Sequence, residues 1–312
     1  MEQLPSTVGE AVAYSIAACL VLVPAAAIRH PISWLAFGAA VGVFGYKKGT
    51  LSRDGAYAAA VVGAVTLSSS FPFACALLAF YLSSSKLTAF GATRKAAVEA
   101  EYKPGGSRNA VQVLANAGVP TALSFVYTEL AARAAPVEAT AAVAAAVIAY
   151  YACCCGDTWS SEIGVLSPQA PVLITTGKPV TPGTNGGVTL LGFTASACGG
   201  LFIGVIAALA AAVMGWGTTM DGVRVAGLSS RIIIVIAFLA GLLGSVADSL
   251  LGATVQYTGV DDATGKVYNK PNVELPGGRK LRQVAGHDWA SNSMVNFMTA
   301  TLSALLALVL VA

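Results

Sequence analysis

Residues 136–155 read PVEATAAVAAAVIAYYACCC, and residues 156–164 continue GDTWSSEIG. The first twenty carry one charge, Glu138, and then the chain turns abruptly polar. A helix needs about 20 mostly apolar residues to cross a bilayer. The run at 136–155 is therefore expected to span, with Gly156-Asp157 at its membrane face. Working outward, eight more runs of this kind appear, at about 8–28, 31–46, 55–70, 71–86, 109–130, 187–214, 231–251 and 293–312. The second, third and fourth are short, and Pro72 divides the last two of these. A tilted or re-entrant arrangement stays open there. Pro120 is expected to kink the fifth span.

Composition agrees. Apolar residues make up 56% of the 312, charged residues 11%, and mean hydropathy is +0.72. Soluble domains are about 25% charged, so a soluble enzyme and a disordered chain are excluded. A net charge of +3 excludes the basic face of a nucleic-acid binder. The expected fold is an all-α polytopic transmembrane bundle of about nine spans, forming a single integral membrane domain over residues 1–312. With 33 glycines, close helix crossings are expected. The six cysteines lie in apolar runs and lack metal-ligand spacing, so they read as small packing residues. Neither a signal nor a transit peptide is visible ahead of Arg29.

Nine spans put loops 46–54, 87–108, 156–186 and 252–292 on one side with the N-terminus. With Lys86 at the boundary, these hold 14 of the 18 Lys and Arg; Arg29, Arg133, Arg224 and Arg231 face the other way. The positive-inside rule assigns the basic side to the cytosol or its equivalent, the stroma in a chloroplast. Charge does not choose between a chloroplast membrane and the endomembranes.

Three polar segments, about 86–109, 156–187 and 247–296, follow one scheme, which makes an internal repeat a candidate feature. Each leaves an apolar helix through a polar cluster, passes a Gly/Pro loop and reaches an Asn before the next helix. Asp157 and Asp248 sit in apolar helix ends, where an ionisable group is a functional hypothesis by default. With Glu162 they are the candidate ligands of Mg²⁺, which takes oxygen ligands beside phosphates. If 156–164 is helical, Asp157, Ser160, Ser161 and Gly164 share a face and Glu162 points elsewhere. Gly241, Gly244, Asp248 and Gly252 share another.

Lys86, Arg94, Arg108 and Lys178 are candidate phosphate clamps. Gly105, Gly106, Gly183 and Gly186 precede helix starts, whose N–H groups bind anions. Asn109, Ser160, Ser161, Thr184, Asn185, Ser249, Asn292 and Asn296 complete the candidate phosphate-binding set. Together these are parts of a phosphoryl-transfer centre, with Asp157, Lys86 and Arg108 nearest the chemistry. The bland readings stand beside them. The Asn residues could be plain caps. Lys95, Lys103 and the Lys266–Arg282 cluster could be solvated charges. Trp159, Trp216 and Trp289 could be interface anchors. No Walker A motif exists, since Gly177-Lys178 is followed by Pro179.

The segment Cys155-Gly156-Asp157-Thr158-Trp159-Ser160-Ser161-Glu162-Ile163-Gly164, running on to Gly183-Thr184-Asn185-Gly186-Gly187, resembles the transmembrane protein 19 family. So do Ser84-Ser85-Lys86-Leu87-Thr88, Gly105-Gly106-Ser107-Arg108-Asn109, and Ala247-Asp248-Ser249-Leu250-Leu251-Gly252. The resemblance covers most of the chain after about residue 30. That family includes the plant phytyl-phosphate kinase, which makes phytyl diphosphate from phytyl phosphate and a nucleoside triphosphate. The resemblance thus implies a membrane kinase acting on a prenyl monophosphate lipid of phytyl or geranylgeranyl type, with CTP the expected donor. One departure is Asn185, where the kinase branch carries an acidic residue. A lipid or solute transporter and a non-catalytic membrane regulator are the alternatives. A transporter predicts polar residues through the midplane, whereas here they gather at one face.

Overall fold

The computed structural model describes residues 31–100, 102, 106–213, 224–225 and 227–312. The first expected span, together with Gly105, Lys103 and Trp216, lies outside them. The other eight spans are helices: α1 (Pro31–Lys47), α2 (Arg53–Ser69), α3 (Phe71–Ala89), α5 (Ala110–Ala132), α6 (Val137–Gly164), α7 (Leu190–Val213), α8 (Ser230–Val255) and α9 (Asn292–Val311). A short helix, α4 (Ala92–Val98), lies in the loop after α3. Six helices, α3 and α5 to α9, are long and apolar enough to cross a membrane. α1 and α2 have 17 residues each, about 26 Å at 1.5 Å per residue. That falls just short of a hydrocarbon core of about 30 Å. Ser70 breaks α2 from α3 in an extended conformation, and Pro72 sits in the first turn of α3, where its missing N–H costs nothing.

α6 is the axis of the bundle. Every residue from Ala141 to Gly156 is buried, and α3, α5, α7, α8 and α9 pack around it. The sequence explains this, because a helix apolar on all sides must be enclosed. Glycines set the closest crossings. A Cβ on Gly156 would lie 2.7 Å from Gly241 Cα, one on Gly199 3.0 Å from Gly156 Cα, and one on Gly241 2.6 Å from Gly200 Cα. α6, α7 and α8 thus meet backbone to backbone one residue before Asp157. Cys153, Cys154 and Cys155 are buried free thiols at this crossing, as packing residues should be.

One expectation needs correction. The sixth span does not end at residue 155. The helix continues through Gly164, because Trp159 and Ile163 stay buried on one face while the polar residues face a cavity. Pro120 lies inside α5, which runs unbroken from Ala110 to Ala132. The Asn116 carbonyl, which has no N–H to accept at position 120, takes the Cys154 thiol of α6 at 3.7 Å, and the Tyr150 hydroxyl donates to Ala115 O at 2.6 Å.

The loops expected on one side form one layer. Ser52 N donates to Arg108 O (3.0 Å), Ala100 N to Val267 O (3.0 Å), and Asn185 N to Thr258 Oγ1 (3.1 Å). Within the layer, β1 (Val172–Leu173) pairs with β2 (Gly187–Val188). After β3 (Arg224–Val225) and β4 (Leu228–Ser229), a three-stranded antiparallel sheet forms from β5 (Thr258–Asp261), β6 (Lys266–Tyr268) and β7 (Arg282–Ala285), in the order β6-β5-β7. Asp261 receives Ala263 N and Thr264 Oγ1 across the β5–β6 turn and pairs with Arg279.

Candidate functional site: a polar cavity at the loop end of the bundle

Where the loop layer meets the helices, a cavity of about 620 Å³ opens. All three polar segments contribute to its wall. Arg108 and Gly106 come from the first. Asp157, Ser160, Ser161, Glu162, Gly183, Thr184, Asn185 and Gly186 come from the second. Asp248, Ser249, Asn292 and Asn296 come from the third. The N-terminal turns of α5, α7 and α9 also reach the wall, through Gln112, Thr189 and Ser293. Three helix N-termini thus face one polar space, a favourable setting for an anion.

Among the described residues two cations line this wall, the exposed Lys270 and the half-buried Arg108. Its guanidinium donates to Ser85 Oγ (2.9 Å) and weakly to Thr88 Oγ1 (3.5 Å). Among the described residues no carboxylate pairs with it. Burial lowers its pKa, against the opposing effect of Glu162 and Tyr81, yet a guanidinium keeps its charge. A half-buried cation with neutral partners favours an incoming anion. Its backbone is fixed from α2: Gly55 leaves room for Arg108 O, which accepts from Ser52 N.

The carboxylates Asp157 and Asp248 line the same cavity from the last two turns of α6 and α8. Neither is a helix N-cap. Asp157 makes no side-chain hydrogen bond among the described residues and lies within electrostatic reach of Asp248 and Glu162. Four buried polar atoms on the wall have no hydrogen-bond partner among the described residues: Asp248 Oδ2, Asn296 Oδ1, Ser245 Oγ and Gln256 Nε2. Orphaned buried oxygens demand an explanation, and three from α8 and α9 are the donor type Mg²⁺ takes. The residues present therefore fit this ion. Asp248 with Ser245 and Asn296 would hold it, with Asp157 nearby.

Glu162 is not among those ligands. Its Oε2 pairs with Lys95 Nζ at 2.6 Å and its Oε1 accepts Thr88 Oγ1 at 2.6 Å. Because the helix does not unwind, five residues of helical phase turn Glu162 away from Asp157. No three-membered group of His, Cys, Asp and Glu side chains suited to a metal exists among the described residues. Lys95, expected as a solvated charge, is instead 2% exposed.

Other expected residues lie off the wall. Arg94 donates to Leu166 O and Ser167 O, capping the end of α6. Asn109 is the N-cap of α5 in a reciprocal capping box with Gln112. Lys178 is exposed in the β1–β2 connection, and Lys86 sits on the last turn of α3. Asn185 lines the cavity, but its amide donates to Tyr257 O and Asn269 Oδ1. It is no helix cap, since Thr189 caps α7. Gly186 has φ +73, and a Cβ there would lie 2.6 Å from Ser249 O. The 183–187 turn is therefore pressed onto the end of α8. Trp159, expected at the interface, is 3% exposed, stacked on Phe202 and bonded to Ser83.

Wall residues missed by the sequence reading include Thr88, Asn116, Ser245, Gln256, Lys270 and Asp288. Ser245 was legible as the residue one turn before Asp248. Lys270 and Asp288 carry no motif and arrive only because the β5–β7 region folds over the mouth.

Comparison with known proteins agrees with this architecture. Residues 36–304 match the family described as integral membrane protein DUF92. The chain is 38% identical over 267 residues to Protein PGR of Arabidopsis thaliana, covering 84% of this chain and 89% of that protein. It is 36% identical over 105 residues to an uncharacterized membrane protein of Methanocaldococcus jannaschii, covering 33% of this chain and 37% of the relative. No solved structure matches. With the match running across nearly all of the described bundle and through every segment of the cavity wall, the chain belongs to the integral membrane protein DUF92 family.

Proposed function

We propose that this protein is a membrane kinase that transfers a phosphoryl group from a nucleoside triphosphate to a prenyl monophosphate, giving the diphosphate. The observation that carries the reading is that opposite chemistries line one cavity: Arg108 and the N-terminal turns of three helices, together with Asp157 and Asp248. Phosphoryl transfer needs this combination, because the reaction is positioned and charge-stabilised with little covalent work for the protein. When bound, Mg²⁺ supplies neutralisation of phosphate charge. This chain's residues orient the reactants: Arg108 would bind the acceptor phosphate, and the N–H groups of the 183–189 turn would face the donor. The resemblance to phytyl-phosphate kinases in the segments that build the wall supports the choice of acceptor. CTP is the first donor to test. The charge bias puts the cavity on the cytosolic or stromal side.

The test is turnover by purified protein in detergent, with phytyl or geranylgeranyl monophosphate, Mg²⁺ and each nucleoside triphosphate in turn. Diphosphate formation that depends on Mg²⁺ and is lost in Arg108→Leu is the expected result. No turnover with any donor, by protein that is folded, would reject the kinase.

A further inference from the structure

A second space adjoins the cavity. It is a narrow apolar cleft among α1, α2, α3 and α5, walled by Val41, Ala59, Val62, Leu77, Val113 and Ala117. Arg108, Gln112 and Asn116 line both spaces. Their i, i+4, i+8 spacing places them on one stripe of α5 and the residue leading into it. That stripe is the partition: polar cavity on one side, apolar cleft on the other. Arg108, which has no carboxylate partner among the described residues, stands where the two meet.

We infer that this cleft is the chain-binding site of a single-chain amphiphile whose anionic head lies at Arg108. The inference rests on the proposed function for the identity of the head, a monophosphate, and adds where the chain goes. The chemistry is directional. A phosphate held by Arg108 leaves its ester carbon facing either the acidic, hydrated cavity or the apolar cleft, and transfer free energy favours the cleft. From Arg108 to Ala117 the α5 wall runs about 13 Å at 1.5 Å per residue, so the head-proximal part of a long chain is gripped here. The cleft encloses about 50 Å³, less than such a chain needs, so binding must widen it. α1 would move together with α2, because a Cβ on Gly42 of α1 would lie 2.5 Å from Ala56 O of α2. It packs on α2, and its outer face, including Ile32 and Leu35, is exposed.

The experiment measures binding of geranylgeranyl monophosphate to the full chain by thermal shift, beside inorganic phosphate. Ala117→Phe fills the cleft from α5. Val41→Phe fills it from the half-buried face of α1, where extra bulk can lean outward without unfolding the core. Overpacking of this size is expected to weaken geranylgeranyl monophosphate about tenfold or more and to leave inorganic phosphate unchanged. Arg108→Leu should weaken both. Unchanged geranylgeranyl monophosphate affinity in both filled variants overturns the cleft. Phosphatidic acid binding as tightly as the single-chain probe also overturns it, in favour of a bilayer lipid. The kinase reading fails separately: wild-type protein that binds the chain in the cleft but turns nothing over keeps this inference and loses that one. Turnover with an unchanged KM in the filled variants does the reverse.

Discussion

Lys95 Nζ lies 2.6 Å from Glu162 Oε2 and 2.8 Å from Leu87 O, with Lys95 only 2% exposed. One ammonium therefore joins α4, the carbonyl end of α3 and the last turn of α6. A cation at a helix C-terminus is favoured by the dipole, and Glu162 supplies the countercharge that burial requires. Lys95→Met should strand Glu162 and destabilise the fold by about 3–5 kcal/mol, as for other broken buried pairs. The double variant Lys95→Met, Glu162→Gln should recover most of that. Denaturant unfolding of the three proteins in one detergent decides it. A single-variant loss below about 1 kcal/mol would mean the pair behaves like a surface bridge.

Glu99, just past α4, sits near the same pair. Burial raises its pKa, the charge of Glu162 raises it further, and Lys95 partly opposes. The fold thus favours neutral Glu99. Its contribution to stability is fully present below the ordinary glutamate value and is lost as pH rises through the raised one. Relative to wild type, Glu99→Gln should gain stability as pH rises between about pH 4 and pH 8. Melting temperatures of both proteins across that range give the difference curve, and a flat curve rejects the assignment.

Asp157→Asn keeps shape and removes charge. On the proposed function, turnover should fall by roughly 10²–10³, the effect of losing about 3–4 kcal/mol of transition-state stabilisation. Its melting temperature should hold or rise, since a carboxylate within electrostatic reach of Asp248 and Glu162 loses its charge. Asp248→Asn should lose activity likewise. Near-normal turnover with a lowered melting temperature would make Asp157 a structural residue.

The glycine crossing predicts a contrast between two Gly→Ala changes. At Gly241 the new methyl meets Gly200 Cα at 2.6 Å, and backbone cannot swing aside, so a loss of about 1–3 kcal/mol is expected. At Gly118, also helical, the nearest atom is 3.8 Å away, and alanine should stabilise by up to about 1 kcal/mol. Thermal unfolding of both variants tests this, and equal effects would show that the crossing is not tightly packed.

Much of this protein was readable along the chain because a bilayer imposes a local rule. A spanning helix must satisfy its own backbone and present about 20 apolar residues. Eight expected spans accordingly became helices, and loops grouped by charge met in one layer. The three polar segments were also legible, since Asp157 and Asp248 are conspicuous in apolar surroundings. Partner choice was not local. Glu162 looked like a metal ligand until Lys95 reached it across 67 positions. Arg94 and Asn109 looked like phosphate-binding residues until helix ends claimed them. Gln256, Lys270 and Asp288 joined the wall only once α8 and the β5–β7 region had packed. Hydropathy sums over a window, whereas a hydrogen bond or an ion pair depends on where two distant side chains point. Only the packing of the helices decides that.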